Sequence, residues 1–138
     1  MKPRSPKVGA IIEMTLPDGR FAYGRVLRDG AVGFYRGIGS ESQPPPIGSR
    51  DYQFVVGVYD DVLRSDKCLV IGEDPSSNEE EDWPPPQRIQ DPISKRFSIY
   101  HKGAIRDATE AEASHLEPAA AWDYHHLVDR LLKPARSN

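Results

Sequence analysis

The 138-residue chain has a single cysteine, Cys68, 9% aromatic residues, and a formal charge of only −3. One cysteine excludes an internal disulfide, so a reducing, intracellular compartment is expected. No apolar run approaches the roughly 20 residues that span a bilayer. The opening "MKPRSPKVGAIIEM" has basic residues with no apolar stretch of signal-peptide length behind them. A soluble, cytoplasmic protein with no membrane partner is the expectation. So small a net charge does not by itself imply a nucleic-acid partner. Also absent are a Gly-rich phosphate loop, a Gly-x-Ser-x-Gly elbow and a Cys-x-x-Cys pair. These absences predict no enzymatic activity, no cofactor and no metal.

What is present is strand patterning. Ala10, Ile12, Met14 and Leu16 alternate along one face, with Glu13 and Thr15 on the other. "PDG" (17–19) supplies a turn, and Arg20 to Leu27 a second strand with Phe21 and Tyr23 opposite Ala22, Gly24 and Val26. "RDG" (28–30) leads into a third strand, Ala31 to Tyr35. Strands joined by short Asp-Gly turns form an antiparallel meander. Gly24 and Gly33, inside strands, predict a bulge or a close backbone approach that bends the sheet.

"RGIGSESQPPPIGSR" (36–50) reads as a loop. "DYQFVVGVYDDVL" is apolar on both faces from Tyr52 to Tyr59, as a doubly covered strand would be, and "KCLVIG" (67–72) is a further buried strand. "FSIYH" (97–101) is the last strong strand, followed by a turn and a short one. Thr109 and Glu112 have capping-box spacing for a short helix to about Leu116. Pro118 suits the first turn of a second helix running to about Leu132. Its apolar stripe would be Ala121, Tyr124, Leu127, Val128, Leu131 and Leu132. The fold class expected is α+β and mainly β: a strongly bent antiparallel sheet or partial barrel of six or seven strands, with one or two C-terminal helices. The chain reads as one domain, with a loose segment over 1–7, a β core over 8–107 with loops at 36–50 and 73–95, and a helical segment over 108–133.

Few residues suggest chemistry. His125 and Asp129 can touch on one helix face, but no third ligand stands at a metal spacing. Cys68 reads as a buried strand thiol. The first fifty residues hold eight Lys/Arg against four acids, so a nucleic-acid-binding surface using Phe21 and Tyr23 is conceivable. Arg25 and Arg28, however, flank a turn, where solvated arginine is ordinary. "QPPP" (43–46) and "WPPPQ" (83–87) read as loop stiffeners, with Trp83 tucked against the body. The window Glu73 to Asp82 carries six acids and no base; against a total of −3, the rest of the chain stands at +3. The run Glu79 to Asp82 lacks the alternating ligands and internal glycine of a calcium loop. It reads as a solvated loop or as a contact surface for a basic partner, which it would steer electrostatically.

The order of "VGAIIEMTLPDGRFAYGRVL", "VGFY", "WPPPQ" and "FSIYHKGAIRDATEAEASHLEPAAAWDYHHLVDRL" resembles the immunity protein 26 family of bacterial polymorphic toxin systems. The resemblance covers most of the chain apart from the acidic "EDPSSNEEED". It implies a mainly β protein that binds and neutralises a cognate toxin, such as a nuclease, by direct contact. It carries over no catalytic residues. Glu79, Glu80, Glu81 and Asp82 would meet a basic toxin, and Trp83 and Trp122 would anchor it, since indole is a favoured hot-spot side chain. The alternative is a small β-barrel binding module for nucleic acid or peptide without catalytic activity.

Overall fold

The computed structural model describes residues 5–76 and 78–133. The chain is α+β and mainly β, in agreement with the patterning, and its strands divide between two sheets that do not close into a barrel. The first sheet begins with the expected meander: β1 (Ala10–Thr15), β2 (Phe21–Val26), β3 (Ala31–Tyr35) and β4 (Tyr52–Val58). A single helical turn, α1 (Asp60–Leu63), redirects the chain so that β5 (Cys68–Glu73) pairs with the free side of β1.

Both faces of β1, β2 and β3 are covered, whereas β5, expected as a buried strand, lies at the edge of the sheet and exposes Leu69 and Val70. Ala10, Ile12, Met14, Ala22, Val26, Val32, Phe34, Phe54, Val56 and Val58 point into one apolar core with Val62 and Leu63 of α1. The alternation in the sequence thus matches the buried face. The opposite face carries Ile11, Tyr23 and Tyr35, with Phe21 and Tyr52 packed beside them. The 36–50 segment lies over that face: the Gln43 amide donates to the Tyr23 hydroxyl at 2.7 Å, and the Tyr35 hydroxyl donates to the Ser49 carbonyl at 3.1 Å. Gly33 is where the backbone must be bare, because a Cβ there would lie 2.7 Å from the Tyr52 ring.

The second sheet is smaller. β6 (Gln87–Gln90), β7 (Phe97–His101) and β8 (Ala104–Ala108) run antiparallel. A short helix follows, α2 (Glu110–Ala113), closed by the predicted capping box: the Glu112 amide donates to Thr109 Oγ1 at 3.2 Å, and the Thr109 amide to Glu112 Oε1 at 3.0 Å. Two two-residue strands then stitch the sheets together. β9 (Glu117–Pro118) pairs in parallel with β6, and β10 (Ala121–Trp122) in parallel with β4.

Pro118 therefore does not open a helix. The Ala119 amide donates to the Arg88 carbonyl at 2.8 Å, holding the chain extended beside β6, an edge position where proline's missing N–H costs no ladder bond. The helix begins later, at α3 (Tyr124–Leu132), where the Asp123 carboxylate accepts from the His126 amide at 3.1 Å. Leu127, Val128 and Leu131 of the expected stripe are buried in the main core, with Tyr124 and Leu132 packed against it; Ala121 is exposed in β10. Residues 73–95, expected as one loop, include a single 3₁₀ turn, Glu79–Asp82, and all of β6.

Candidate interaction surface

The acidic window is not a free loop. The Asn78 side chain accepts from the Glu80 amide at 3.0 Å and caps the 3₁₀ turn, and each of the six acids meets a cation of the body. Glu73 pairs with Lys7 (2.8 Å), Asp74 with Arg50 (2.7 Å), Glu79 with Arg28 (3.1 Å), Glu81 with Arg50 (3.2 Å) and Asp82 with Arg25 (2.7 Å). Glu80 pairs with Lys102. The backbone joins in, since the Arg28 amide donates to the Asp82 carbonyl at 2.7 Å. The +3 remainder of the chain and the −6 window are thus two halves of one internal charge pairing.

Arg25 is the centre of it. Period two places Arg25 beside Phe21 and Tyr23 on the outer face, and its side chain is 0% exposed, not the solvated turn flank its position suggests. Nε donates to the Asp74 carbonyl at 3.0 Å and Nη2 to Asp82 Oδ1 at 2.7 Å. Burial alone would raise the pKa of Asp82, but the hydrogen bonds from Arg25 and Ser76 and the Arg25 charge hold it below the usual carboxylate range. Asp74 behaves alike: burial opposes ionisation, while Arg50, the Gly48 amide at 2.7 Å and the Arg25 charge lower the pKa. The outer edge of the turn stays in water, with Glu79 and Glu80 side chains 70% and 69% exposed. Asp82 points inward; Glu79 and Glu80 point out.

The two tryptophans sit in different places. Trp83 follows the turn, half-buried, with the Arg28 guanidinium 5.4 Å from its ring centre, and it lines a hollow with Pro6, Val8 and Leu63. Trp122 lies in β10, half-buried, and lines another hollow with His126, Asp129, Arg130 and Lys133. Arg130 stacks between Phe54 (4.1 Å) and Trp122 (5.3 Å), and its guanidinium also grips the Glu117 carboxylate. The structure groups Glu79, Glu80, Glu81, Asp82 and Trp83, and leaves Trp122 in a separate hollow.

The residues weighed for chemistry do not assemble. Cys68 packs against the main core, and burial pushes its thiol up to about 11. His125 is exposed, while Asp129 lines the Trp122 hollow. Among the described residues no three His, Cys, Asp or Glu side chains form a metal-holding group. No helix among them is long and apolar enough to cross a membrane. The six described cations of the first fifty residues are each ion-paired, which leaves no open basic stripe there: Lys7, Arg25, Arg28 and Arg50 with the acidic window, Arg20 with Asp18, and Arg36 with Asp51.

No protein-family model, no curated protein and no solved structure matches this chain.

Proposed function

We propose that this protein is an immunity protein that binds a cognate bacterial toxin and neutralises it by direct contact. The observation that carries the reading is the pinned acidic turn. Glu79 and Glu80 are held by the Asn78 cap and by Arg28 and Lys102, yet most of each side chain faces solvent. A charged surface already ordered before the encounter loses little conformational entropy on binding. At contact, its exposed carboxylates can meet the cations of a basic partner, where charge complementarity fixes the register. The resemblance in the order of the strand, "WPPP" and "HLEPAAAW" segments supports the same class. A nucleic-acid-binding module is supported less well, because the arginines it would use are paired to internal carboxylates.

In this reading Glu79, Glu80 and Glu81 face the toxin, Trp83 and Trp122 anchor it, and Asp82 serves the scaffold through Arg25. The test is affinity capture with the tagged protein from lysate of its own organism, with bound molecules identified. A stoichiometric protein partner whose binding weakens when Glu79→Gln and Glu80→Gln are combined supports the proposal. Recovery of nucleic acid alone, or of nothing, overturns it in favour of the binding-module alternative.

A further inference from the structure

The seam between the two sheets holds a cleft of about 430 Å³, within the range of about 300–1,000 Å³ typical of ligand sites. One wall is the β2–β3 turn with Asp29 and the end of β4 with Tyr59; the other is Gln87 on β6 with Tyr100 directly across from it on β7. Its back is the alanine strap between β9 and β10, which passes so close to Gly57 that a Cβ there would stand 2.9 Å from the Ala120 carbonyl oxygen. The cleft is therefore shaped by glycine and alanine, residues that leave room, at the place where two sheets are stitched.

Its polar groups are those of a cation site. Among the described residues no lysine or arginine lines it. The Tyr100 hydroxyl donates to Asp29 Oδ2, so that carboxylate is oriented while its second oxygen remains available. The neighbouring Arg28 is engaged with Glu79 and Trp83, and Asp60, at the rim, is already paired with Arg64 at 2.7 Å. Gln87 is only 8% exposed, lines the cleft, and forms no side-chain hydrogen bond among the described residues. Its amide end is not sealed from solvent, so it is free to hydrogen-bond a group that enters the cleft. Tyr59, 55% exposed, stands at the mouth.

We infer that this cleft receives an arginine side chain of a protein partner. A planar guanidinium has five donors and a face that stacks on aromatic rings, which matches a carboxylate, an amide oxygen and two tyrosines better than a compact ammonium does. The cleft adjoins the acidic turn, because Arg28 bonds to that turn while Asp29, the next residue, opens into the cleft. The inference rests on the reading of this chain as a protein-binding module, and it names the partner's contact group.

The probe is N-acetyl-L-arginine amide, titrated into the ¹⁵N-labelled protein and followed by amide chemical shifts. Saturable shifts confined to residues 29–30, 57–60, 87, 100 and 119–121 are expected, with a dissociation constant on the order of millimolar for one side chain. Asp29→Asn keeps the turn, since Asn-Gly suits a two-residue hairpin at least as well, and it should weaken the probe about tenfold through loss of a charge-assisted bond. The inference is overturned by shifts that do not saturate, by shifts elsewhere, or by an Asp29→Asn variant that binds as before. Equal affinity for the blocked lysine analogue overturns the guanidinium assignment, and tighter binding of free L-arginine overturns the protein partner. Because the probe is not the toxin, failure here leaves the toxin reading intact, and failure to capture a toxin leaves this result standing.

Discussion

Replacing Asp82 with asparagine removes the counter-charge of a guanidinium that water does not reach. Arg25 is 0% exposed, its Nη1 is buried without a hydrogen-bond partner among the described residues, and its other nitrogens meet the Asp74 carbonyl and the Asp82 carboxylate. Breaking a buried ion pair costs about 3–5 kcal/mol, because the remaining charge stays desolvated. The Asp82 side chain is 15% exposed, so water relieves part of that loss and the lower end applies, about 3 kcal/mol. With a urea dependence of about 1–3 kcal/mol per molar, the unfolding midpoint should fall by about 1–3 M. Glu79→Gln breaks a pair whose side chains are 70% and 43% exposed and should cost about 0–1 kcal/mol. Removing both charges with Arg25→Met and Asp82→Leu should recover most of the loss, since an apolar pair leaves no stranded charge. Urea unfolding at pH 7, followed by tryptophan fluorescence, separates the cases. If Asp82→Asn and Glu79→Gln shift the midpoint equally, the buried pair does not hold the acidic segment and the reasoning fails.

Asp74 and Asp82 have lowered pKa values in the folded state, so their contribution is full above the ordinary carboxylate range and is lost as pH falls from about 4 through the folded values; acid titration of a mutant lacking both should show a smaller drop. Cys68 is the opposite case: with the thiol raised from 9.0 to about 11 by burial, its contribution is present below pH 9 and lost between those values. At pH 8 a thiol reagent should modify the folded protein far more slowly than the unfolded chain, and equal rates would contradict its packing. Gly57→Ala should force β10 away from β4, costing about 1–3 kcal/mol, with faster hydrogen exchange at the Tyr59 amide, which donates to the Trp122 carbonyl at 3.1 Å. Unchanged exchange would show that the strap can move aside freely.

Much of the first sheet was legible because the small and aliphatic residues that fill the main core alternate along β1 and β2, although the opposite face of these strands is buried as well. The capping box at Thr109 was legible because its two hydrogen bonds are local. Arg25 was not. Its place beside a turn suggests solvated arginine, and whether its face meets water depends on Asp82, 57 residues along. β9 and β10 are two residues each and create no periodicity, so Pro118 reads as a helix start although the cap of α3 is Asp123. Glu79 to Asp82 were legible as a charge excess, though not as partners of specific arginines. The cleft was invisible for the same reason: Asp29, Gln87 and Tyr100 become neighbours only when two separate sheets meet, and no spacing along the chain records that.

The most direct measurement of the central claim is a growth assay with the captured partner. Expressed alone, that partner should arrest growth; expressed with this chain it should not, and rescue should weaken when Glu79→Gln and Glu80→Gln are combined, while each lost exposed pair costs no more than about 1 kcal/mol of stability. A partner that is harmless alone, or equally toxic with and without this chain, would contradict the assignment as an immunity protein.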